Sequence, residues 1–390
     1  MDTTVLDRPS VGSRRVDARR GGHNTEVSAQ WASRPDDEKF LNIAALREAV
    51  QGRREASSTH DTEMQRLRFS HDDSSIFVDS GNGPAVMTNW SFGQVARSVG
   101  FSANELRKLP PYLATAVLQT MAVRSPAENS VMAYRQDGDD GVLLRAMTSA
   151  SYGRIYDADI VAQVERIARA GSWKVPGVLN WADGSYNPQA PVTVDTTTLF
   201  ASDRDVFMFL CDDTHPIEVG KLPNGDPDLM FRGFIVSNSE VGARKFRLCT
   251  MYLRGVCCNR ILWGVEGFRE IEIRHNAGAP DRFADEIMPS LDSYAALDAD
   301  KLTSGVTAAK TLITARTEDE QVSFLTDLGF SQTAAKSIIA TGERQEGARP
   351  SSVWDFAQAI TAHAQSMPHA DSRFEMEVTA GKLLDKVDVE

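Results

Sequence analysis

Long hydrophobic runs are missing from this sequence, and cysteine is scarce. No stretch of the 390 residues approaches the roughly 18 consecutive apolar residues that a membrane helix needs, which excludes a membrane-spanning protein. Arg14, Arg15, Arg19 and Arg20 lie near the start without an apolar segment after them, so no secretory signal is expected. Four cysteines are too few for a disulfide scaffold, and they fit a reducing cytoplasm.

The motifs of common enzyme classes are missing too. The sequence contains no G-x-x-x-x-G-K-[ST] phosphate loop, no G-x-G-x-x-G after a strand and no G-x-S-x-G elbow. Without a C-x-x-C pair, a structural zinc site is not expected, and Cys211 and Cys249 are interpreted as buried small hydrophobes. We assign no catalytic residue and no cofactor, and an enzyme is the less favoured class.

What the sequence does contain is an uneven distribution of charge. The net charge is −12, yet Phe231 to Arg282 holds nine Lys or Arg against five acids, which gives +4. Phe283 to Glu390 holds nine basic against eighteen acidic residues, which gives −9. A basic middle in an acidic chain indicates an anionic partner for that middle, although arginines scattered over a solvated sheet would look the same.

The apolar spacing predicts an α+β protein with a central antiparallel or mixed sheet and flanking helices. We divide it into a disordered arm (1–35), a mainly helical region (36–127), a β-rich core (128–282) and an acidic helical region (283–390). A capping box is expected at Ser102 and Glu105, and a strand at Pro191 to Thr197. Gly342 is expected to end a helix that Ser331 begins.

One group of potential metal ligands follows the apolar strand Phe207 to Leu210. Its members are Asp212, Asp213, His215 and Glu218. Carboxylates at a strand end can hold Mg²⁺, as nucleases do. Pro216 and the turn residues that follow favour a polar hairpin loop instead. A metal-dependent nucleic-acid-processing enzyme therefore stays open as an alternative.

The favoured site is the basic part of the sheet. A hairpin with Asn238, Ser239 and Gly242 at its turn joins two strands, the second of which mixes apolar and basic residues on both faces. Basic side chains at the rim of such a sheet can hold phosphates while an aromatic ring stacks on a base. The candidate nucleic-acid-binding residues are Arg232, Arg244, Lys245, Arg247, Tyr252, Arg254, Arg260 and Arg274. The alternative is a core built on Phe246 and Trp263 with unrelated surface arginines around it.

Several motifs resemble those of the phage/plasmid-like protein family, a domain of unknown function found in phages and conjugative plasmids. They are Leu144-Arg145-Ala146, Ser151 to Ile155, Ala201 to Phe207, Gly233 to Gly242, Arg254 to Arg260, Arg274-His275, Val353-Trp354-Asp355, Ala359-Ile360-Thr361 and Asp371-Ser372-Arg373. The resemblance spans roughly Trp90 to Leu384 and implies a gene carried beside those that handle single-stranded DNA. It supplies no catalytic mechanism.

The resemblance and the basic sheet together favour a cytoplasmic protein that binds or anneals single-stranded DNA in recombination or DNA transfer. Annealing proteins of that type form rings, so by analogy a homo-oligomer is also an expectation. A third hypothesis is a protein inhibitor of host defence, in which the acidic helical part after Pro280 occupies a nucleic-acid site on another protein.

Overall fold

The computed structural model describes residues 34–135, 141–176, 191–194, 196–221, 225–254, 260–261, 270–295, 299–364, 366, 370–385 and 387. The disordered arm expected at 1–35 therefore lies outside the described residues, apart from its last two positions. The strands are β1 (Lys39–Phe40), β2 (Ser57–Glu63), β3 (Arg68–His71), β4 (Ile76–Asp79), β5 (Pro84–Met87), β6 (Glu128–Arg135), β7 (Val142–Ser149), β8 (Leu199–Ala201), β9 (Val206–Lys221), β10 (Pro227–Asn238), β11 (Phe246–Arg254), β12 (Arg260–Ile261) and β13 (Glu270–Ile273).

These strands form two sheets. The large sheet has the order β1-β8-β9-β10-β11-β12, with β13 also paired to β11, and every pairing in it is antiparallel. The small sheet has the order β2-β6-β7-β5-β4-β3 and is mixed, because β5 and β7 run parallel. The α+β class predicted from the sequence is confirmed.

Helices precede, separate and follow the strands. They are α1 (Ile43–Glu55), α2 (Asn89–Ser98), α3 (Ala103–Lys108), α4 (Pro111–Ala122), α5 (Asp157–Ala170), α6 (Ala279–Arg282), α7 (Met288–Ala295), α8 (Ala299–Thr311), α9 (Glu318–Asp327), α10 (Gln332–Glu346), α11 (Val353–Ala364) and α12 (Ala370–Leu384). A π-helical segment, Phe283–Ile287, joins α6 to α7. Among the described residues, no helix combines the length and the apolar character that crossing a bilayer requires.

Alternation along the strands gives the large sheet two different faces. Phe234 and Val236 of β10 point to the main core together with Phe246 and Leu248 of β11, and helices α5 and α7–α12 contribute to that core. The intervening residues form a second apolar cluster on the opposite face. The small sheet has its own core against α2, α3 and α4.

Some local predictions are wrong. Ser102 makes no capping hydrogen bond, residues 191–194 and 196–197 form no strand, and α10 continues through Gly342 to end at Gly347. The boundary predicted after residue 127 falls inside the small sheet, because β6 and β7 pair with strands of the preceding region. Tertiary pairing decides these points, and short sequence windows do not contain it.

Candidate functional site

Several segments that are distant in sequence meet around the connection between β10 and β11. The Tyr152 hydroxyl donates to the Ser239 carbonyl oxygen at 2.9 Å, and the Ser239 hydroxyl donates to the Arg204 carbonyl oxygen at 2.5 Å. His275 Nδ1 donates to the Gly153 carbonyl oxygen at 3.1 Å. We call this meeting point of residues 144–157, 201–205, 237–245 and 274–276 the junction. Five of the motifs that carry the family resemblance lie wholly or partly in it.

The junction also joins the two sheets. Helix α2 contacts it through the Trp90 indole and the Gln94 amide, which donate to the Val241 carbonyl oxygen at 2.9 and 2.7 Å. Arg145 of β7, in the small sheet, forms an ion pair of 2.6 Å with Glu240, in the connection that follows β10 of the large sheet. Arg154 donates to the Glu240 carbonyl oxygen. Removing one partner of such a buried ion pair strongly destabilises the folded protein, because the other charge stays buried without compensation.

Glu240 also closes the N-terminal end of α5. The helix begins at Asp157 after Tyr156, which provides no side-chain cap, and the Asp157 backbone N–H donates to Glu240 Oε2 at 3.1 Å. Backbone N–H groups and the helix dipole both favour an anion at this position. The Asn238 amide fixes the adjacent geometry by donating to the Ile155 carbonyl oxygen at 3.0 Å and to Asp157 Oδ1 at 2.7 Å.

The surroundings shift the pKa values of the two buried carboxyl groups in opposite directions. Burial and the nearby Glu240 carboxylate raise the pKa of Asp157 well above its ordinary value. Burial also opposes ionisation of Glu240, but the charge and hydrogen bond of Arg145 hold the pKa of Glu240 below its ordinary value. Asp157 Oδ2 is buried without a hydrogen-bond partner, so nothing at that oxygen stabilises a charge. Of the two acids, both only 2–3% exposed, Glu240 is the one whose ionised form the junction favours.

The candidate cations at the solvent side of the junction occur beside carboxylates. Glu272 of β13 accepts from Lys245 at 2.9 Å and from Arg247 at 2.6 Å. Asp205 accepts from Arg244 at 3.1 Å and from Arg34 at 2.5 Å. Arg274 is exposed and directly follows Ile273, the last residue of β13. Lys245, Arg247, Arg274 and Glu272 form what we call the cationic rim, with a net charge of +2.

The junction also contains an aromatic pair. The rings of Tyr152 and His275 are stacked with centroids 4.9 Å apart, and both residues are half-buried. Arg154 lies 5.2 Å from the centre of the Tyr152 ring. Burial lowers the pKa of His275, so the imidazole is neutral at neutral pH. Gly153 is required here, since a Cβ at this position would lie 1.7 Å from the Asn276 carbonyl oxygen.

Two predicted site residues are on the wrong face of the sheet. Tyr252 is 2% exposed and packs edge-on against Tyr294 in the main core, so the stacking role expected for it is wrong. Arg232 lies opposite Tyr252 in the strand register and therefore shares that helix-covered face. Arg247 points to the other face. The side chains of Arg254 and Arg260 lie outside the described residues.

The sequence favours a hairpin loop for the residues from Asp212 to Glu218. In the structure they instead form an irregular part of β9. The register shifts between the pairs Asp212–Arg232 and Ile217–Met230, so the intervening residues bulge out. Asp212 accepts from Thr214 and His215, and its hydrogen bonds with Ser172, His215 and Thr214 outweigh burial and lower the pKa of Asp212 to about 2.

The described residues of this bulge have the geometry neither of a serine-hydrolase relay nor of a metal site. Ser172 and Asp212 both contact Nδ1 of His215, whereas a serine-hydrolase relay uses both ring nitrogens. Within the described part of the chain, no three His, Cys, Asp or Glu side chains converge as metal ligands. The Asp213 side chain lies outside the described residues.

Sequence reasoning does not select Arg145, Asp157 or Glu240 as site residues. The sequence does contain a partial indication of their importance, because Arg145 and Glu240 lie in motifs that carry the family resemblance. Cys211 and Cys249 are buried in the second apolar cluster, as expected. Comparisons with protein-family models, with curated proteins and with solved structures found no match to this chain.

Proposed function

We propose that this protein binds single-stranded DNA through the cationic rim, in the cytoplasm, and that it promotes annealing in phage or plasmid DNA recombination or transfer. The observation that carries the proposal is that Lys245 and Arg247 both pair with Glu272, while the nearby Arg274 is exposed. Lys245 and Arg247 retain 45% and 35% side-chain exposure while they pair with Glu272, so phosphates can reach them.

The surroundings of the rim support a single strand as the ligand. Single-strand binders combine a positive track for the backbone with aromatic groups on which unpaired bases stack. The half-buried Tyr152–His275 stack takes the role that Tyr252 does not fill. The convergence of five resemblance motifs at the junction supports the same surface as the functional centre of a phage/plasmid-like protein.

The binding test uses fluorescence anisotropy with labelled oligothymidylate over a series of salt concentrations. The triple variant Lys245→Ala/Arg247→Ala/Arg274→Ala should weaken binding at least tenfold. The slope of log K against log salt should fall by about 0.7 for each lost phosphate contact, because fewer counterions are released on binding. The same variant should slow annealing of complementary strands in a fluorophore–quencher assay.

The matched control is Lys336→Ala/Arg344→Ala/Lys382→Ala, which removes the same charge from exposed positions of the C-terminal helices. It should leave both the affinity and the salt slope unchanged. Equal losses in the two triple variants would show a general effect of net charge. No binding by the unmodified protein at low salt would end the proposal.

A further inference from the structure

Glu272 contacts two of the three cations of the cationic rim. It lies directly opposite Arg247 in the antiparallel register between β11 and β13, and Lys245 lies two residues before Arg247. Glu272 Oε2 accepts from Lys245 Nζ at 2.9 Å. Glu272 Oε1 accepts from Arg247 Nη2 at 2.6 Å and from Arg247 Nε at 3.1 Å. Both carboxylate oxygens are therefore bonded to rim cations.

These contacts are of the kind that a phosphate would make. The Nε–Nη2 edge of an arginine and the ammonium group of a lysine commonly bind phosphate oxygens. The hydrogen bond from Lys245, together with Arg247, outweighs burial and lowers the pKa of Glu272, so this side chain is ionised at neutral pH. A DNA phosphate that takes these donor positions must displace the Glu272 carboxylate.

The displacement needs only side-chain rotation. Glu272 is 31% exposed, its two partners are more exposed still, and ion pairs between exposed side chains are individually weak. Glu272 is nevertheless attached to the same sheet, so it competes at an effective concentration on the order of millimolar. A ligand with one phosphate must compete with that carboxylate alone, whereas a strand offers several linked phosphates that bind together. The competition therefore acts more strongly against a monophosphate than against a polynucleotide.

We propose that Glu272 is a built-in competitor at the cationic rim, which admits a polynucleotide strand and excludes molecules that carry a single phosphate group. The inference rests on the proposed function and adds the ligand selectivity of the same site. Glu272 lowers the affinity for every phosphate ligand, but a strand compensates through further contacts, such as the one expected at the exposed Arg274.

The test compares the unmodified protein with Glu272→Gln, which keeps the shape of the side chain and removes its charge. Fluorescence anisotropy with labelled oligothymidylate measures binding of a strand. Glu272→Gln should bind this strand about fivefold more tightly at low salt, since two like charges about 4 Å apart repel by that much even in water. The gain should shrink as added salt screens the repulsion.

Isothermal titration calorimetry with thymidine monophosphate measures the selectivity. At millimolar concentration this ligand should bind Glu272→Gln and should not bind the unmodified protein. The matched control is Glu318→Gln, because Glu318 is exposed and pairs with Arg349 at 2.8 Å in the C-terminal part of the chain. It removes the same charge from another ion pair and should change neither measurement.

Three results would overturn the proposal while the proposed function stands. The first is an affinity for oligothymidylate that Glu272→Gln leaves unchanged or lowers, which would show that Glu272 orients the cations instead. The second is an equal gain in Glu318→Gln, which would be a general effect of net charge. The third is identical behaviour of the unmodified protein and Glu272→Gln towards thymidine monophosphate. Failure of the proposed function looks different, because then neither protein binds the strand and both proposals end.

Discussion

Glu240 and Asp157 have different roles within the same buried cluster. Glu240 is held ionised by Arg145 and accepts a backbone N–H at the start of α5. Burial and the Glu240 carboxylate raise the pKa of Asp157, so the same site disfavours the ionised form of this acid. The residue identities do not reveal this difference, since both are acids. It arises from which of the two contacts the arginine.

The two acid-to-amide substitutions should therefore have opposite effects. Glu240→Gln keeps the shape but leaves Arg145 buried without its partner charge, and should lower the free energy of unfolding by about 3–5 kcal/mol. Asp157→Asn removes an acid whose ionisation the site disfavours, and should leave stability at neutral pH unchanged or higher. Urea unfolding of both variants measures the contrast, and equal losses would contradict it.

Asp157 should also make the stability of the unmodified protein depend on pH. Its folded-state pKa is raised, so above about pH 4, the ordinary value for Asp, the unfolded chain releases a proton that the folded chain retains. The free energy of unfolding therefore falls as pH rises from about 4 towards the raised pKa of Asp157, by up to about 1.4 kcal/mol per pH unit. Asp157→Asn should remove the decline, and an unchanged pH profile in that variant would disprove the assignment.

At the scale of elements, helices α10 and α11 approach closely at a glycine. A Cβ at Gly342 would lie 2.6 Å from the Ala359 Cβ, a distance that real Cβ atoms do not adopt. Gly342 is thus explained by helix packing and not by helix termination. The expected stop is wrong because a glycine near the end of a helical pattern fits both roles in the sequence.

Gly342→Ala should lower the thermal midpoint, although alanine favours helix by about 1 kcal/mol over glycine, since the two helices must separate. Gly52→Ala is the matched control. Gly52 lies inside α1, and a Cβ added there would meet nothing within 4 Å, so the same substitution should raise the midpoint. Differential scanning calorimetry compares them, and a stabilised Gly342→Ala would refute close packing.

At the scale of the whole molecule, the junction should make the two sheets unfold together. Arg145 with Glu240, and Trp90 and Gln94 with Val241, connect them through buried or half-buried polar contacts. Hydrogen exchange in increasing urea should therefore give the same opening free energy for amides of β7 and β10. In Gln94→Ala, which loses bonds to Val241 and Met147, β7 should open first. Separate opening in the unmodified protein would contradict this coupling.

Local patterns predicted the fold class and most elements well. Ser331 caps its helix as its residue type suggests, and the hairpin around Ser239 and Gly242 forms where the turn residues lie. The predictions of a strand near residues 191–197 and of a domain boundary after residue 127 are wrong. Both depend on long-range strand pairing, which no short window contains.

The sequence by itself determined the α+β class, the helical character of the C-terminal part and the positions of the basic residues, because helix periodicity and strand alternation are local properties. Only the tertiary structure decided which of those residues share a surface. Arg232 and Arg247 lie on different strands, and it is the register between β10 and β11 that places them on opposite faces. The carboxylates at Asp205, Glu240 and Glu272 reach their partners through chain pairings far apart in sequence, and that distance is why the charge pattern alone did not locate the junction.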